Sequence, residues 1–126
     1  MKYSCLIIDS NKFFSGILSE LINQSPDLDL IDIINASDHQ PQTGQAIDVI
    51  FYDPDVLRSL PADYLDSIPG NPQLILISAD EAYAIQALMS DVTDFLEKSI
   101  LTAERFAQTV SLIKSNAAER IPTYGS

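Results

Sequence analysis

The sequence predicts an α/β domain of three layers: a doubly wound, five-stranded parallel sheet with helices on both faces, built from five strand–helix units. Three observations predict it. Apolar runs of strand length alternate with segments of helical periodicity along the chain. The most apolar run, Ile47 to Tyr52 within "AIDVIFYDPD", lacks the alternation of a half-exposed strand and reads as one covered on both faces. The runs end on Asp9, Asp53, Ser78 and Lys98, as expected where parallel strands deliver polar side chains to one edge.

The first strand is Tyr3 to Ile8, bounded by Asp9-Ser10-Asn11. Phe14, Ile17, Leu18, Leu21 and Ile22 then recur at helical spacing until Pro26. Leu28 to Ile34 forms a second strand, and its Asp27, Asp29 and Asp32 read as a solvated strand edge. They lack the glycine and terminal glutamate of a calcium loop. Residues 36–46 predict a short or broken helix, because Pro41 and Gly44 interrupt a polar stretch. His39 within it reads as an exposed loop residue.

Ile47 to Tyr52 is the third strand. Pro61 to Ile68 predicts a short helix with Tyr64, Leu65 and Ile68 on one side, ended by Pro69-Gly70. The strand Gln73 to Ile77, a helix carrying Ala82, Ile85, Leu88 and Met89, the strand Val92 to Leu96, and a helix carrying Phe106, Val110 and Ile113 complete the alternation. Such alternation implies right-handed crossovers. The chain divides into a domain over 1–116 and a tail over 117–126, where periodicity fades and Pro122 and Gly125 appear.

Composition narrows the function. The 126 residues suffice for one core, and no apolar run approaches the length of a membrane span. A formal net charge of −11 repels phosphate backbones, so DNA contact would need a separate domain. The absence of a signal-peptide pattern and a lone Cys5 inside a strand fit a cytoplasmic protein with no disulfide. Glycine-rich phosphate loops are missing after the first strand, where Asp9-Ser10-Asn11-Lys12 stands, which disfavours flavin or nucleotide binding.

In an open parallel sheet, ligands bind beyond the carboxyl ends of the strands. Two carboxylates (Asp9, Asp53), a hydroxyl (Ser78) and an ammonium (Lys98) would meet there, a set suited to a divalent cation and a phosphoryl group. The motifs Leu6-Ile7-Ile8-Asp9, Asp48-Val49-Ile50-Phe51-Tyr52-Asp53, Leu74-Ile75-Leu76-Ile77-Ser78-Ala79 and Asp94-Phe95-Leu96-Glu97-Lys98 resemble those of response-regulator receiver domains, the CheY-like module of flavodoxin-like fold. The likeness spans roughly residues 3–115. The segment from Leu74 to Phe106, with Tyr83-Ala84, Val92 to Leu96 and Glu104-Arg105-Phe106, is similar to receivers of LytTR-type regulators.

The resemblance implies that Asp53 accepts a phosphoryl group from a histidine kinase in a self-catalysed transfer. It implies that Asp9 and Asp53, with the backbone of Asp55, hold Mg²⁺. Ser78 would hydrogen-bond the phosphoryl oxygens, Lys98 would pair with their charge, and Phe95 would be the aromatic switch. Output would pass through the face made by the fourth helix, fifth strand and fifth helix (Tyr83, Ala87, Phe95, Phe106), which could also pair two copies into a homodimer.

Three departures from the family pattern stand beside these. Ser10 occupies the place of a second acidic ligand, which should weaken Mg²⁺ binding. Ser99 follows Lys98 where the family has proline, leaving the direction of the lysine open. The second helix is eroded. Two classes of function therefore remain: a phosphoacceptor receiver, and a pseudo-receiver that keeps the fold as a phosphorylation-independent interaction module.

Overall fold

The computed structural model describes residues 2–35, 44–84 and 91–120. Five parallel strands form one sheet in the order β2-β1-β3-β4-β5: β1 (Tyr3–Ile8), β2 (Leu28–Ile34), β3 (Val49–Tyr52), β4 (Gln73–Ser78) and β5 (Asp94–Glu97). The chain lays β2 on one side of β1 and β3 on the other. Strand order therefore reverses between β1 and β3, the position at which open parallel sheets place their ligand sites.

Period-two alternation sorts the apolar residues into two cores. Cys5, Ile7, Val49, Phe51, Ile75, Ile77 and Leu96 face one side, where they meet Phe14, Leu18 and Ile22 of α1 (Lys12–Gln24) and Phe106, Val110 and Ile113 of α3 (Ala103–Arg120). Leu6, Ile8, Ile50, Tyr52 and Leu76 face the other, over Val56, Leu60, Tyr64 and Ile68. Burial pushes the Cys5 thiol up to about 12, so it stays an inert core residue.

Helix α1 begins where Asn11, in extended conformation, accepts a hydrogen bond from the Phe14 amide at 3.1 Å. The register of β1 against β3 is pinned by Ser4, whose amide donates to Asp48 Oδ2 at 2.9 Å and whose hydroxyl donates to the Ala46 carbonyl at 2.9 Å.

The segment after β3 departs from the sequence reading. The helix expected over Pro61 to Ile68 is replaced by a single 3₁₀ turn at Leu65–Ser67, and a short helix α2 starts earlier, at Pro54–Leu57. Asp53 caps it by accepting from the Asp55 amide, and Pro54 supplies a preset φ at the first helical position. Tyr64 and Ile68 are nevertheless buried as expected. The fifth strand lies at Asp94–Glu97, displaced toward Lys98 relative to the expected Val92 to Leu96. α3 runs to Arg120, so residues 117–120, expected to belong to a tail, are helical. The expected helices over 36–46 and 82–89 fall largely outside the described residues, as do His39, Pro41 and Ala87; Gly44 is exposed.

Candidate functional site

The site follows from the topology. Asp9 and Asp53 are the first residues beyond β1 and β3, whose paired ends are Ile8 and Tyr52. Their backbones extend the ladder: the Asp9 amide donates to the Ile34 carbonyl at 3.0 Å and the Asp53 amide to the Ile8 carbonyl at 2.8 Å. Both carboxylates are thus carried on rigid sheet backbone. Lys98 comes from the end of β5, one residue beyond the Ser78–Glu97 pair.

The Lys98 ammonium bridges the two carboxylates. Nζ lies 2.8 Å from Asp9 Oδ1 and 2.8 Å from Asp53 Oδ2. The side chains of Asp9, Asp53 and Lys98 are only 1%, 12% and 10% exposed, so water screens these contacts poorly. Burial lowers the Lys98 pKa, but the hydrogen bonds and charges of Asp53 and Asp9 outweigh it and hold the ammonium above its ordinary value. The Phe14 ring, 5.2 Å from Nζ, adds a cation–π contact. The lysine is therefore aimed into the site with Ser99 following it, which answers the question left open by the missing proline.

The remaining oxygens have different fates. Asp53 Oδ1 accepts from the Asp55 amide at 2.8 Å, while Asp9 Oδ1 also accepts from the Asn11 amide at 3.3 Å. Asp9 Oδ2 is buried and makes no hydrogen bond. An orphaned carboxylate oxygen beside a second carboxylate is the kind of donor a hard divalent cation satisfies. Ser10, in the position next to Asp9, is exposed and neutral. Among the described residues no group of three or more acids, histidines or cysteines gathers as a metal cage. Asp9 and Asp53 are the two carboxylates at this edge that could contribute oxygens to a hard cation, Asp9 Oδ2 being the one without a hydrogen-bond donor.

Other sequence-predicted residues divide. Ser78 is buried at the same edge, and its Oγ accepts from the Asp80 amide at 3.0 Å. Phe95 is half-buried and packs with Tyr83 and Val92 against the Ile50–Tyr52–Leu76 core. Phe106 does not lie on an outward face: it is buried and stacked on Phe51, with ring centroids 6.0 Å apart. The helical spacing already placed Phe106 on the same stripe as the buried Val110 and Ile113, so the core claims it. The Asp55 carboxylate is engaged by Arg58 and Tyr83 rather than aimed at the site.

Sequence reasoning missed the cluster around Asp94. Arg105 donates from Nη1 and Nη2 to both oxygens of Asp94, at 2.9 and 2.8 Å, and from Nη2 to the Phe95 carbonyl at 3.0 Å. The Thr109 hydroxyl adds a bond to Asp94 Oδ2 at 2.7 Å. Arg105 and Thr109 stand four apart on α3, a spacing that signals a shared helix face. Asp94 offers no such signal, because its partners lie 11 and 15 residues away.

No family model matches the chain, and no curated protein does. Solved structures do match. A response regulator receiver protein from Pseudoalteromonas atlantica superposes with a TM-score of 0.64 at 16% identity, over 90% of this chain and 98% of its own. The response regulatory domain of protein mrkE from Klebsiella pneumoniae gives 0.69 at 15%, over 93% and 99%. A response regulator receiver domain protein from Clostridium thermocellum gives 0.63 at 16%, over 92% and 98%. The fold is that of response regulator receiver domains. The Asp9–Lys98–Asp53 cluster lies at the carboxyl edge of that sheet, where strand order reverses between β1 and β3. No helix among the described residues is long and apolar enough to cross a membrane.

Proposed function

We propose that this chain is the receiver domain of a two-component response regulator, with Asp53 accepting a phosphoryl group from a phosphohistidine of its kinase. The observation that carries the reading is the Lys98 ammonium held between Asp9 and Asp53 at 2.8 Å each, at the carboxyl edge of a parallel sheet. An oxygen of Asp53 attacks phosphorus as the P–N bond to the imidazole breaks. The leaving nitrogen keeps the bonding pair and later takes a proton. Such transfer needs mainly positioning and charge neutralisation. Two carboxylates and one ammonium leave one net negative charge in the pocket, so further positive charge is required for an incoming anion. Mg²⁺ held by Asp9, Asp53 and the Asp55 carbonyl would supply it, weakly because Ser10 replaces an acid. Lys98 would shift toward the phosphoryl oxygens, and the Ser78 hydroxyl, now serving the Asp80 amide, would turn to them.

Phe95, half-buried between Tyr83 and the core, is suited to respond to movement of Ser78. Its neighbourhood on β5 would pass the change to a partner or a second copy. The likeness of Leu74 to Phe106 to LytTR-type receivers supports a cytoplasmic regulator whose DNA contacts, if any, belong to a separate effector domain.

A second reading, a pseudo-receiver acting without phosphate, is favoured by one observation: the third acidic position is the exposed, neutral Ser10. Incubation with a small phosphodonor and Mg²⁺, followed by intact mass, separates the two. A single phosphoryl increment that Asp53→Asn abolishes supports the receiver. No increment at millimolar Mg²⁺ supports the pseudo-receiver.

A further inference from the structure

The segment after β3 and the loop after β4 are tied together by side chains that the phosphoacceptor chemistry does not require. The Tyr83 hydroxyl donates to Asp55 Oδ1 at 2.8 Å and accepts from Arg58 Nη2 at 2.7 Å. Arg58 Nη2 also donates to Asp55 Oδ1, and its guanidinium lies 5.8 Å from the centre of the Tyr83 ring. The three groups close a ring of contacts, and each end of it reaches the buried site. On one end the Asp55 amide donates to Asp53 Oδ1 at 2.8 Å. On the other, the Tyr83 amide donates to the Asp80 carbonyl at 3.1 Å, and the Asp80 amide to Ser78 Oγ at 3.0 Å.

We infer that Tyr83 is a positioning residue: with Arg58 it fixes the Asp55 side chain, and so holds the Asp55 amide on the Asp53 carboxylate while linking that carboxylate to the loop of Ser78. The side chains of Arg58 and Asp55 are 61% and 63% exposed, so each contact alone is weak. The effect lies in the bridge, which spans 28 residues of chain between Asp55 and Tyr83. A change at Asp53 that displaced the Asp55 amide would be carried by this bridge to the segment bearing Ser78.

Hydrogen exchange of the full chain, read by mass spectrometry, tests this without phosphate. Tyr83→Phe should speed exchange in the peptide covering 53–58 about two- to fivefold, the range expected for one exposed pair. The same substitution on an Asp55→Ala background should add nothing, because the partner is gone. Unchanged exchange over 53–58 in Tyr83→Phe, or equal acceleration on the Asp55→Ala background, would overturn the inference. A second readout rests on the phosphoacceptor reading: Tyr83→Phe should slow adduct formation from the small phosphodonor by a similar factor, and a wild-type rate would also overturn it. Absence of any adduct in the wild-type chain would count against that reading alone, with the exchange results still deciding the bridge.

Discussion

Lys98 Nζ stands 2.8 Å from Asp53 Oδ2 across 45 residues of sequence, and the same nitrogen stands 2.8 Å from Asp9 Oδ1. One ammonium therefore neutralises part of two buried carboxylates that would otherwise repel each other.

Removing it should be costly. Lys98→Met leaves Asp9 and Asp53 facing each other with no counter-ion, and unfolding in urea should show a loss of about 3 kcal/mol at neutral pH, the low end for breaking a buried pair. Asp53→Asn should cost far less, because Lys98 keeps Asp9. Equal losses in the two variants would mean that the lysine is not the shared partner.

The same contact contributes to the alkaline limb of stability, beside the buried phenols of Tyr52 and Tyr64. The Lys98 pKa is raised above 10.5 by Asp53 and Asp9, which outweigh burial. A raised folded-state value contributes stability that is complete below the unfolded value and lost as pH rises through the folded one. The wild-type chain should thus lose stability above about pH 10.5 more steeply than Lys98→Met, measured by chemical denaturation at successive pH values. On the acid side the sign reverses. Burial raises the Asp94 pKa, but bonds from Arg105, Thr109 and the Phe95 amide outweigh it, so the value falls below 3.8. Its contribution is present above pH 3.8 and lost as pH falls through the lower folded value, and Asp94→Asn should flatten that loss.

How much of this was legible beforehand depended on whether the signal was local. Asp9, Asp53 and Lys98 announced themselves because each ends an apolar strand, and parallel strands bring such ends to one edge. Ser78 was placed at that edge by the same rule, although its hydroxyl serves as a turn cap. The segment after β3 was misjudged because Pro61 is a strong helix-start signal, while the Asp53–Pro54 cap that nucleates α2 was read as a strand end with a function. Asp53 is at once the residue that follows β3 and the cap of α2. Asp94–Arg105 and Asp55–Tyr83 were invisible because no periodicity links residues 11 or 28 apart; only the closed sheet brings them together.

If Asp9 and Asp53 hold a cation, an added acid after Asp9 should tighten it. Ser10→Asp adds a carboxylate at the position following Asp9, and Mn²⁺ titration followed by electron paramagnetic resonance should show binding tightened at least tenfold, equivalent to about 1.4 kcal/mol. No change would place the cation elsewhere.

Gly70 tests the turn into β4. Its φ is +101°, and a Cβ there would lie 2.9 Å from the Ile47 carbonyl oxygen, which already accepts no slack because the Ile47 amide is bonded to the Pro69 carbonyl at 2.9 Å. Gly70→Ala should lower stability by about 1–3 kcal/mol by denaturant titration. A neutral effect would mean that the turn relaxes freely.

The most direct measurement is chemical trapping. After exposure to a small phosphodonor and Mg²⁺, borohydride reduction converts an aspartyl phosphate to homoserine, and peptide sequencing by mass spectrometry locates it. Homoserine at position 53 alone is the expected result; homoserine elsewhere, or none in a folded chain, would contradict the assignment of Asp53 as the phosphoacceptor.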